Sequence, residues 1–107
     1  MNKEKIIKKS ETFSQIISKN NSIKNKYLSI YYTKSEKNMY GITVPKKVGK
    51  ANIRNKLKRR MKNIIINNEK NIQNNLNYVI IIKEAAKELT YKKLEQELIN
   101  LIKKVKI

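Results

Sequence analysis

The chain of 107 residues contains no Cys, His, Asp or Trp. Without thiols or imidazoles there are no disulfides, no zinc-type ligand sets and no Cys–His or Ser–His–Asp nucleophile machinery. Without Asp, paired aspartates are excluded as well. Only one Pro, two Gly and one Phe are present, and the longest uncharged apolar stretch, Tyr78 to Ile82, is far too short for a signal peptide or a membrane span. Carboxylates are scarce, with eight Glu against 26 Lys and Arg, so the formal net charge is +18. A charge of that size on a small domain points to a polyanionic partner, nucleic acid first, and to a soluble cytoplasmic protein.

The hydrophobic fraction of 39% is enough for a core in one domain of this length, which buries roughly two-thirds of its unfolded surface. The expectation is a single domain over 1–107, with a flexible basic N-terminus over about 1–9. Lys, Ile and Asn are abundant, yet Arg54, Arg59 and Arg60 are the only arginines and share one seven-residue window. A planar guanidinium fork suits phosphates and base edges better than the point charge of Lys. Nine cations, from Lys46 to Lys62, supply half of the net charge with no acid among them.

Patterning predicts a short first helix after the Ser10-Glu11-Thr12 cap, with Phe13, Ile16 and Ile17 on one side. A brief extended piece falls at Ile23. Two strands follow, Tyr27 to Thr33 and Asn38 to Val44, expected to pair as a hairpin across the Lys34 to Lys37 connector. Leu28, Ile30, Tyr32, Tyr40, Ile42 and Val44 are assigned to the core. Tyr27, Ser29, Tyr31 and Thr33, with Met39, Gly41 and Thr43, are assigned to the opposite face, which would form an open groove. A long helix from Ala51 to Asn67 carries the apolar stripe Ile53, Leu57, Met61, Ile64 and Ile65. Its other arc carries Asn55, Lys56, Lys58, Arg59, Lys62 and Asn63, bordered by Arg54 and Arg60. An Asn-rich linker precedes Tyr78 to Ile82, a strand buried on both faces. Thr90 caps a nearly neutral last helix with the stripe Tyr91, Leu94, Leu98, Leu101, Ile102 and Val105. The order is α-β-β-β-α-β-α, an α/β (α+β) sandwich of a small sheet and helices.

An acid-free basic helix binds nucleic-acid backbone by counterion release. Aromatics alternating with Ser29 and Thr33 suit single-stranded RNA, although aromatics at strand spacing also serve as ordinary core. No nucleotide loop, metal-ligand spacing or acid–base pair is present, so any catalytic groups would lie outside this chain.

The run Gly41-Ile42-Thr43-Val44-Pro45-Lys46-Lys47-Val48-Gly49-Lys50, continuing into Arg54-Asn55-Lys56 and Lys58-Arg59-Arg60-Met61-Lys62, resembles the signature of the bacterial ribonuclease P protein family. Lys8, Lys9 and Phe13, then Ile30-Tyr31, Tyr78 to Ile81 and Leu89-Thr90-Tyr91 extend the resemblance over almost the whole chain. Lys56 and Lys62 stand where the family usually has Arg, and Ile17 where it often has an aromatic. The resemblance implies a left-handed crossover around the long helix and a role as protein cofactor of a ribonucleoprotein endoribonuclease. In that family the RNA subunit is the catalyst, with Mg2+ or a similar divalent ion held by the RNA, and the 5′ leader of precursor tRNA is removed. The resemblance places Arg54, Asn55, Lys56, Lys58, Arg59, Arg60 and Lys62 on the RNA subunit. It places Phe13, Tyr31, Thr43, Lys46 and Lys47 on the precursor tRNA leader, and Ile17 and Tyr27 are added as candidates for the same groove from their place in the patterning. No protein catalytic residue, protein-bound metal, membrane or obligate protein partner is expected. The rivals are a noncatalytic RNA-binding protein of ribosomal or chaperone type and, more weakly, a membrane-surface binder.

Overall fold

A computed structural model describes residues 21–34, 36, 39–72 and 76–105; the expected first helix, with Phe13 and Ile17, lies outside the described residues. Four strands, β1 (Ser22–Lys24), β2 (Leu28–Lys34), β3 (Met39–Thr43) and β4 (Leu76–Ile82), form one sheet in the order β1-β2-β4-β3. Two helices, α1 (Ala51–Asn67) and α2 (Tyr91–Ile102), pack on it. The observed order of strands and helices is the expected one.

Strand pairing departs from expectation at one point. β2 and β3 are not neighbours, because β4 lies between them, antiparallel to β2 and parallel to β3. The cause is the apolar run of β4, in which Tyr78, Val79, Ile80 and Ile82 are all buried. Only a central strand has both faces and both edges covered, so the most apolar strand displaces the local hairpin. β3, α1 and β4 therefore form a crossover between parallel neighbours. The tight hairpin is instead β1–β2, closed by the Asn25 side chain, whose Oδ1 accepts from the Tyr27 and Leu28 N–H groups at 2.8 Å each. Such local acceptance is what favours Asn at turns.

The inner sheet face sets Leu28, Ile30, Tyr32, Tyr40, Tyr78 and Ile80 against Leu57, Met61, Ile64 and Ile65 of α1 and Leu94, Leu98 and Leu101 of α2. Tyr40 and Tyr78, partners in the β3–β4 register, stack with centroids 5.7 Å apart. Burial, and then the neighbouring Tyr40 and Tyr32, push the Tyr78 phenol far above its ordinary value, so it stays neutral. Ile53 was expected in the α1 stripe but is 38% exposed. It lies in the first turn of α1, ahead of the buried stretch that begins at Leu57.

Thr90 caps α2 as expected, its Oγ1 accepting from the Lys93 N–H at 3.2 Å. Just past the end of α1 the Asn68 amide donates to the Ile64 carbonyl at 2.7 Å and to Glu95 Oε2 at 2.9 Å. That pair of bonds satisfies an orphan carbonyl at the end of α1 and ties the two helices together.

Candidate nucleic-acid interface

α1 is positioned by what precedes it. Pro45 leads into a 3-10 turn at Lys46–Val48 that buries Val48 and leaves Lys46 and Lys47 exposed. Gly49 follows, so close to Ile53 that a Cβ would meet its side chain at 3.3 Å. The helix then starts at Ala51, with Lys50 at the N-cap position, no side-chain cap and no acid in its first turn. Its N-terminal partial positive charge thus adds to Lys46, Lys47 and Lys50 instead of being cancelled.

The apolar stripe fixes how α1 is rotated, and the rotation sets the charges. Asn55, Lys56, Arg59 and Lys62 are exposed, while Arg54, Lys58 and Arg60 are half-buried along the borders. The border arginines are held: Arg54 Nε donates to the Gly49 carbonyl at 3.1 Å, and Arg60 Nη1 donates to the Leu89 carbonyl at 3.4 Å. Each bond uses one of five guanidinium donors, which orients the fork and leaves the others for a ligand. No carboxylate lies in 46–62 to neutralise this surface.

The outer face of the sheet is a second surface, turned away from the helix layer. Its rows follow from register: Ser29, Ile81 and Thr43; Tyr31, Val79 and Gly41; Thr33, Asn77 and Met39. Tyr31, Met39 and Ile81 pack around the fully buried Val79, so this face has a small apolar centre with hydroxyls about it. It is less open than the sequence suggested, since Ser29 and Gly41 are also buried. Asn77, read from the sequence as the end of the linker, belongs to β4. Its Oδ1 is buried without a hydrogen-bond partner, and only the depth of the strand, not the Asn-rich run, reveals it.

Tyr27 was assigned to the same face as Tyr31, and the structure corrects this. It precedes β2, where the Asn25 turn breaks the alternation, and it packs against the main core instead. Of the residues assigned to the leader, Tyr31 and Thr43 share the outer sheet face, and Lys46 and Lys47 follow β3 into the turn. Among the described residues no group of three or more carboxylate side chains could hold a metal ion. No described helix is long and apolar enough to cross a membrane.

These features define a small α+β domain with one mixed four-stranded sheet, one single-signed basic helix entered from a β-strand, and a mixed apolar and hydroxyl sheet face behind it. The sequence model of the family described as Ribonuclease P matches residues 1–106. The chain belongs to the ribonuclease P protein family. It is 38% identical to the ribonuclease P protein component of Mycoplasma capricolum over 99% of this chain and 100% of that one. It is 39% identical to that of Alkaliphilus metalliredigens over 94% and 93%. The fold is similar to the RNase P protein from Thermotoga maritima, with a TM-score of 0.88 and 26% identity over 94% of this chain and 97% of that one. The Staphylococcus aureus RNase P protein gives 0.86 and 28% over 94% and 96%. Membership makes the chain a protein subunit of an endoribonuclease of tRNA processing, with RNA as a partner.

Proposed function

We propose that this protein binds the RNA subunit of ribonuclease P through α1 and the 5′ leader of precursor tRNA through the outer sheet face and the Lys46–Lys47 turn. The RNA subunit would then be the catalyst, and a divalent ion such as Mg2+ held by that RNA would supply the activation of water for attack on the phosphodiester. The protein's contribution is binding and positioning. Arg59, Lys56 and Lys62 displace counterions from RNA phosphates, and Arg54 and Arg60 present oriented forks. Tyr31, across Val79 from Met39 and on the same sheet face as Thr43, offers a ring to an unpaired base, and Lys46 and Lys47 hold the leader's phosphates.

The observation that carries this proposal is the acid-free, outward-facing arc of α1, set apart from a sheet face of different chemistry. One surface suits folded RNA backbone, the other a single strand. The test is cleavage of a precursor tRNA by a bacterial ribonuclease P RNA at low Mg2+, with and without the protein. The expected result is a cut at the mature 5′ end that is strongly stimulated by the protein and abolished by disabling the RNA. If the protein binds both RNAs but cleavage is unchanged across salt and Mg2+, it is a noncatalytic RNA-binding protein instead.

A further inference from the structure

Tyr27, displaced from the outer sheet face, packs against the main core in company that neither proposed surface uses. Its carbonyl accepts the Lys83 N–H at 2.9 Å, and the Lys26 ammonium sits 5.8 Å from its ring centroid. Together with Glu84, Lys87, Glu88 and Leu89, these two line an open trough of about 430 Å3. A second trough of about 420 Å3 runs beside α1, lined by Ile53, Lys56, Leu57, Arg60, Lys87 and Glu88. Lys87 and Glu88 line both, so the two troughs adjoin at the 3-10 turn Glu84–Glu88, and the adjoining pair is termed the channel.

The chemistry of the channel is that of a phosphate track. Lys26 and Lys56 are exposed, and Arg60 spends one donor on the Leu89 carbonyl. The facing carboxylates are Glu84, which is paired with Lys87 at 3.6 Å, and Glu88, exposed at the bend. Cations thus outnumber carboxylates by four to two along its length. The walls add Ile53, which with Ile66 makes the two large exposed apolar side chains among the described residues, and the Tyr27 side chain. A protein partner of acidic character would meet Glu88 and the Ile53 wall equally well; what favours RNA is the continuity of Lys56 and Arg60 with the basic arc of α1.

We propose that this channel is a second RNA track, which takes a phosphodiester segment of the RNA subunit along the flank of α1 opposite Arg54 and Lys58. It rests on the proposal that the RNA subunit binds α1. Lys26 and Tyr27 then serve RNA-subunit binding and have no part in leader selection.

The test measures affinity for ribonuclease P RNA alone across a salt series, and separately the preference for leader-bearing over leaderless substrate. Lys26→Glu should weaken RNA-subunit binding roughly tenfold, with the salt slope reduced by about one, and leave the leader preference unchanged. Glu88→Gln should tighten it. Lys104→Glu makes the same charge change at an exposed position beyond the end of α2 that lines neither trough and should change little; circular dichroism confirms that all three fold. If Lys26→Glu matches Lys104→Glu while Arg59→Ala still weakens binding, the channel is refuted and the role of α1 stands. If Arg59→Ala has no effect either, the RNA-subunit proposal falls and takes the channel with it. Loss of leader preference in Lys26→Glu would also overturn the proposal, by returning this corner to the leader.

Discussion

α1 and α2 solve the same packing problem with opposite electrostatics. Each lays an apolar stripe on the inner sheet face, and the two are joined through Asn68 and Glu95. On α2 the outward positions mix signs: Lys93 pairs with Glu97 at 3.7 Å, and Glu97 also accepts from the Asn25 amide at 3.1 Å. The outward positions of α1 carry cations and Asn without a single carboxylate. A helix needs only its stripe to fold into this core, so its exposed arc is free to follow function. α2 spends that freedom on neutrality, and α1 keeps uncompensated charge that costs self-repulsion until an anion arrives.

The comparison can be broken at several levels. The largest effect should come from the stripe: Ile64→Ala, at a fully buried position, is expected to cost about 2–5 kcal/mol in urea unfolding. A small loss there would mean that α1 is not anchored as described. Next is the exposed arc, where Arg59→Ala should change stability by no more than about 0.5 kcal/mol. It should weaken RNA-subunit binding by several-fold and reduce the salt slope by about one. Lys92→Ala, exposed on α2, should do neither, and equal effects of the two would erase the distinction between the helices. Third, Thr90→Ala removes the α2 cap and should cost about 1 kcal/mol, with RNA affinity unchanged. Smallest is a pH effect. Tyr78 keeps its proton more tightly folded than unfolded, so its contribution is fully present below pH 10, the ordinary value, and falls as pH rises above it. Thermal unfolding between pH 9 and 11 should show that slope, and Tyr78→Phe should flatten it.

Local periodicity made the helices legible. The bounds of α1, the Thr90 cap and the buried stripes depend on contacts within a few residues, which spacing encodes directly. The hairpin error arose because pairing is a global choice. Residues 28–34 and 39–43 are adjacent in sequence, but the outcome was decided by the apolar demand of a strand more than thirty residues later. Tyr27 departs from the alternation for a local reason: it lies one residue before β2, inside the turn closed by Asn25, where strand alternation does not hold. The basic arc of the site was visible in the charge run, whereas the Glu84–Glu88 channel was not, since it joins segments distant in sequence.

The central claim is that two surfaces of one small domain read two RNAs. The most direct test is a paired measurement on Arg59→Ala and Tyr31→Ala, of affinity for the RNA subunit and of preference for leader-bearing over leaderless precursor. The account predicts that Arg59→Ala loses RNA-subunit affinity and keeps the preference, while Tyr31→Ala keeps the affinity and loses the preference. Equal losses by both variants in both measurements would contradict it.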